Sequence, residues 1–178
     1  NLFEQQLRDY QPDLVIVDMG ANDYYLGGLD WNDFENNLVR IVDNIKEACP
    51  ETSIILSCSQ DIYRRGMNVI GTQNHAQIIK KVAGDRNCAY YNYFKVAGGQ
   101  YSMYQWRKYG LANRDFVHLS AAGYYVKGSL ILNGILNSYL RYLGADNTDI
   151  DTEKDMISNL PDSIFTLKDS ILVETYSI

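Results

Sequence analysis

The sequence predicts an α/β protein in which a parallel sheet is layered between helices, a three-layer α/β/α arrangement. Three observations carry this. Short β-branched or aromatic runs recur at 13–19, 53–58 and 89–94. Segments with helical apolar spacing lie between them, from 31 to 49 and from 73 to 83. The resulting βαβαβ order implies right-handed crossovers and a ligand crevice at the C-terminal ends of the strands.

Each element has its own reason. Asp13 to Met19 (DLVIVDM) follows Pro12 and is rich in β-branched residues, so it reads as a strand buried on both faces, ending at Gly20. Phe34, Leu38, Ile41, Val42 and Ile45 fall on one helical stripe, with Asp30 or Asn32 able to cap the start and Pro50 closing the segment. Ser53 to Cys58 (SIILSC) is a second buried strand. Gln73 to Ala83 is a second helix and Ala89 to Phe94 (AYYNYF) a third strand. A glycine- and aromatic-rich loop, Val96 to Leu111, leads to a long helix from about Ser120 to Leu143. Gly144 stops that helix, Asp146 to Asp155 reads as an acidic linker, and the last residues alternate enough for a hairpin around Lys168 and Asp169.

Composition bounds the function. A chain of 178 residues with 46% hydrophobic content is long enough for one compact domain, expected over 1–143, with a linker and tail over 144–178. The net charge of −6 sits in that tail: from Leu143 onward there are eight acidic and two basic residues, leaving fourteen of each sign before it. A neutral body without a basic patch excludes nucleic acid and anionic membrane surfaces as expected partners. No run approaches the roughly 18 apolar residues of a membrane helix. The chain opens at Asn1 without a Met, which leaves room for a removed leader or upstream region, and the compartment stays open. Cys49, Cys58 and Cys88 are odd in number and lack paired or metal-like spacing, which argues against a disulfide framework or a zinc site, so they read as buried small hydrophobes; no cofactor is expected.

Two clusters stand where this architecture builds sites. Gly20-Ala21-Asn22-Asp23 follows the first strand, where glycine permits a sharp turn and Asn22 can offer a neutral N–H donor to a developing oxyanion. The same tetrapeptide also reads as a plain turn, since Gly, Asn and Asp are the usual turn formers. Asp115 and His118 precede the last long helix at a spacing of three, which lets the carboxylate orient one ring nitrogen while the other faces the crevice as a base. Chance also produces such a pair in a chain this rich in aspartate. His75, without such company at a polar helix start, reads as a solvated or capping residue.

PDLVIVDMGAND resembles block III of the SGNH (GDSL-like) hydrolases, and DFVHLSAAGYYVKG resembles their block V. Between them, GGQYSMYQWRKYGLANRDFVH is similar to a subgroup of bacterial exported carbohydrate esterases, including peptidoglycan O-acetylesterase-like proteins. The resemblance runs from Pro12 to about Leu140. It implies a flavodoxin-like parallel sheet, no metal, an extracytoplasmic location, and an O-acylated carbohydrate or other small ester as substrate. His118 would be the general base, Asp115 its orienter and Asn22 an oxyanion donor, with Gly20 shaping the turn and Asp23 a structural neighbour.

The family's Gly-Asp-Ser strand and second-block glycine lie upstream of block III, but the nineteen residues before Gly20 hold no serine and no other glycine. The nucleophile is therefore expected outside this chain. Ser57, Ser59, Ser120 and Cys58 lack a glycine-rich elbow or any mark of activation. Two explanations compete: a C-terminal portion of an esterase whose N-terminal strand and serine come in cis or in trans, or an inactive carbohydrate- or partner-binding module using its tyrosines and Trp106 as stacking surfaces. Nucleotide binding is disfavoured, since no glycine fingerprint follows a strand and opens a helix.

Overall fold

A computed structural model describes residues 2–25, 27 and 29–143. They fall into two compact units that meet in sequence between Phe94 and Lys95. The expected linker and hairpin of 144–178 lie outside the described residues.

The first unit opens with a helix the sequence did not predict, α1 (Leu2–Tyr10). Its single buried residue, Leu7, accepts from Cys49 Sγ at 3.1 Å, too faint an apolar signal to read in advance. β1 (Leu14–Asp18) runs into α2 (Ala21–Tyr25), and α3 (Trp31–Ala48) follows. Asp30 caps α3 as expected, its carboxylate accepting from Asn32 N at 2.8 Å and Asp33 N at 3.4 Å. Phe34, Leu38, Val42 and Ile45 are buried along one stripe, each worth about 1.5–3 kcal/mol relative to exposure. β2 (Ser53–Ser57) pairs in parallel with β1, from Leu14 opposite Ser53 to Asp18 opposite Ser57.

A small antiparallel hairpin comes next, β3 (Tyr63–Arg64) with β4 (Met67–Asn68), then α4 (Gly71–Asp85). β5 (Ala89–Tyr91) pairs in parallel with β2 and stops short of the predicted Phe94, because the chain turns at Asn92 into α5 (Tyr93–Val96). The strand order is β1-β2-β5. α4 packs on β2 and β5, and α3 on α4. Tyr90 Oη donates to Ala76 O at 3.1 Å, tying β5 to α4. The parallel α/β architecture is as predicted.

The burial of β1 is not. Strand alternation puts Val15 and Val17 on the face shared with the buried Ile54 and Leu56 of the neighbouring strand, whereas Leu14 and Ile16 point the other way. Those two and Met19 are 39%, 41% and 41% exposed. β1 is the edge of the sheet among the described residues, and a run composed for two-sided burial has one face partly exposed.

In the second unit, the stretch expected as a loop contains α6 (Ser102–Lys108), and α7 (Ala121–Tyr142) matches the long helix. Met103, Trp106 and Leu111 are buried, and Trp106 Nε1 donates to Ala97 O at 2.8 Å. Trp106 is therefore core and not the stacking surface proposed for it. Of the cysteines, Cys49 and Cys58 are buried as expected and Cys88 is half-buried.

Candidate active site

Gly20 has φ +100°, a region open to glycine at little cost, and it is buried. A Cβ there would strike His75 Nε2 and the Phe34 ring, so the end of β1 lies flat on two aromatic side chains. Asp23 N donates to Gly20 O at 3.0 Å, closing the turn, and Asn22 and Asp23 are exposed on α2. Tyr24 anchors the same short helix from below: its hydroxyl meets Ser59 Oγ at 2.5 Å, and burial raises its pKa despite the bonds to Ser59 and Thr72. Gly20, Asn22 and Asp23 thus form one local structure.

His75 is where the sequence was misleading. It is fully buried, and Nε2 lies 3.1 Å from Met19 O. The helix starts at Gly71, so His75 falls on the inward stripe with Ile79 and Val82. Spacing of three and four from the apolar positions carried that signal.

In the second unit, Asp115 and His118 come together as predicted. Phe116 takes φ +55°, so the chain doubles back and the Asp115 carboxylate reaches three N–H groups. Oδ1 accepts from Val117 N at 2.9 Å and His118 N at 3.0 Å, and Oδ2 accepts from His118 Nδ1 at 2.8 Å. Burial, the largest single influence, raises the Asp115 pKa. The bonds from the His118 ring and the two backbone N–H groups together outweigh it, holding the carboxyl below the usual range. With Nδ1–H donated to a carboxylate, neutral His118 presents Nε2 as an acceptor from a side chain 64% exposed.

The turn is clamped to α7. Asn113 N donates to His118 O at 2.8 Å, Ala112 and Leu119 form an antiparallel bridge, and Ser120 N donates to Leu111 O at 2.9 Å. Ser120 Oγ donates to Gly110 O at 2.7 Å and accepts from Gly123 N at 3.1 Å as the cap of α7. Ser57 and Ser59 are buried, Ser57 Oγ donating to Cys58 O at 3.3 Å.

The family model of the GDSL-like lipases and acylhydrolases matches residues 1–126. The chain belongs to this family. Among solved structures, a peptidoglycan O-acetylesterase superposes with a TM-score of 0.70 at 24% identity, covering 78% of this chain and 41% of its own. A lipase/acylhydrolase from Enterococcus faecalis gives 0.56 at 21% identity, covering 74% and 67%. A catalytic mutant of an acetylxylan esterase from Geobacillus stearothermophilus gives 0.53 at 21% identity, covering 81% and 65%. These likenesses show that the SGNH hydrolase fold is shared. The chain spans less than half of the first of these proteins and about two thirds of the other two. No curated protein matches the sequence.

Proposed function

We propose that this chain supplies the acid/base part of a serine ester hydrolase acting on O-acyl esters of carbohydrates outside the cytoplasm, and that the nucleophilic serine reaches it on an N-terminal strand in cis or in trans. The Asp115–His118 pair carries this reading, because a carboxylate fixed by two backbone N–H groups leaves the imidazole one tautomer and one free basic nitrogen. His118 Nε2 takes the serine hydroxyl proton as the oxygen attacks the ester carbonyl, then gives it to the departing alcohol. Water repeats the sequence on the acyl-serine. Asn22 donates its side-chain N–H to the oxyanion, and Gly20 shapes its turn with Asp23 as a structural neighbour.

The open edge of β1 supports an added strand, since no strand pairs with its outer side among the described residues, and the apolar Leu14 and Ile16 beside that edge are half exposed. The substrate class follows from the sequence resemblance and from relatives named for acetylated peptidoglycan and xylan. The test is ester turnover. The isolated chain has none on a chromogenic acetyl ester, and adding the serine-bearing segment restores turnover that requires His118. Turnover by the isolated chain that vanishes in His118→Ala would reveal a nucleophile within it.

An inactive binding module has one observation in its favour: Tyr101, Tyr104, Tyr124 and Tyr125 are exposed in the second unit. Binding of acetylated oligosaccharide by an assembled protein without turnover would favour that module.

A further inference from the structure

His75, the chain's other histidine, has no part in the ester chemistry above, yet it sits directly under the turn that carries Asn22. Its ring is tilted against Tyr24 of α2 at 4.9 Å and Phe34 of α3 at 5.0 Å between centroids. A carbonyl only accepts, so Nε2 carries the hydrogen it donates to Met19 O, and the ring is the neutral Nε2–H tautomer. Nδ1 is then a bare lone pair, buried without a hydrogen-bond partner among the described residues. A buried acceptor left in that state costs stability that a leucine in the same slot would not.

What the imidazole adds in return is a donor to the last carbonyl before Gly20. A leucine has none. The glycine rests on the same ring, with no room between them for a Cβ. α2 is a five-residue helix, too short to hold its own geometry, and its side-chain anchor is the Tyr24 hydroxyl. Among the described residues the His75 ring faces the Tyr24 phenol, kept protonated by burial, the Phe34 ring, the Met19 carbonyl and the Gly20 backbone. Burial lowers the His75 pKa to about 4 against the weaker upward pull of the Met19 bond, so the donor form persists into acid solution.

We propose that His75 is a positioning residue: by donating to Met19 O and packing under Gly20 it fixes the turn that aims the Asn22 amide, a role that rests on the reading of Asn22 as an oxyanion donor. An oxyanion donor acts only when preorganised, so a loosened turn costs rate while leaving ground-state binding nearly untouched.

The experiment compares His75→Leu, which fills the slot without a donor, with His75→Gln, whose amide nitrogen can occupy the Nε2 position. Amide exchange is followed by NMR in the 178-residue chain. In His75→Leu the Asp23 amide and its neighbours exchange about tenfold faster or more, amides of β2 and the middle of α3 do not change, and His75→Gln recovers most of the protection. Uniform acceleration through α3, α4 and the turn, or a Gln variant as open as the Leu one, would show that His75 is ordinary core and overturn the proposal. In the esterase assembled with its serine segment, His75→Leu lowers kcat about tenfold at unchanged KM and costs nothing further in an Asn22→Ala background. An additive double variant would also overturn it. Should Asn22→Ala leave kcat unaltered while the Leu and Gln contrast in exchange persists, the oxyanion role fails and the hold on the turn stands.

Discussion

Asp115 and His118 are 47% and 64% exposed, so their ion-pair character contributes little to folding, and what their contact supplies is orientation. Removing either should therefore cost rate and spare stability. If the chain works in an esterase assembled with a serine-bearing segment, as proposed, His118→Ala lowers kcat there by about four orders of magnitude or more, and Asp115→Asn by about 10²–10⁴-fold, because an amide no longer selects the Nδ1–H tautomer. Asn22→Ala costs about 10²–10³-fold in kcat with little change in KM. Steady-state kinetics beside thermal melts check the set: variants that lose rate by losing their fold would withdraw these roles. His75 couples stability to pH. Its pKa is about 4 in the folded chain against an ordinary 6.5, so the unfolded chain takes up the proton first as pH falls. Its contribution to stability is intact above pH 6.5, declines between 6.5 and 4, and levels off below 4 at a loss of about 3 kcal/mol. Urea titrations at pH 7.5 and pH 5 measure that slope, and His75→Leu should flatten it. An unchanged slope in the variant would place the acid sensitivity elsewhere.

At the level of elements, the loop before α7 is held by a contact that punishes any side chain. Gly123 is helical, so alanine there should add up to about 1 kcal/mol by helix propensity alone. Its Cβ, however, would meet the Leu111 carbonyl, a backbone atom that moves only with the turn carrying Asp115 and His118. Gly123→Ala is expected to lower both melting temperature and kcat, against propensity. A variant that melts higher and turns over normally would show that the clamp does not set the turn. The same region marks what was legible in the sequence. The Asp115–His118 pairing could be read from its spacing, but the left-handed Phe116 that makes it possible could not, since nothing in a phenylalanine announces positive φ. α6 was hidden by its seven-residue length between glycines, and Trp106 looked like a surface only because its partner, the Ala97 carbonyl, is backbone. His75 was readable from the stripe it shares with Ile79 and Val82. It was lost because the helix begins at Gly71, ahead of the position its polar first turn suggested.

For the molecule as a whole, the β-branched run of β1 correctly announced a parallel strand, and it could not announce which neighbour covers it. Composition encodes that burial is wanted, and only the partner decides whether it happens. Leu14 and Ile16 form an apolar strip on a sheet edge, a feature soluble proteins seldom leave bare. If the serine-bearing segment covers that strip, Ile16 carries binding energy between the two pieces while adding little to the chain alone. Ile16→Lys should then leave the chain's own unfolding midpoint nearly unchanged and cost assembly about 2 kcal/mol, roughly a thirtyfold rise in the segment concentration that gives half-maximal ester turnover. His118→Ala should behave differently, binding the segment normally and losing the plateau. Superimposable titrations for the native chain and Ile16→Lys would mean that the segment docks elsewhere, and the exposed face of β1 would then need another occupant.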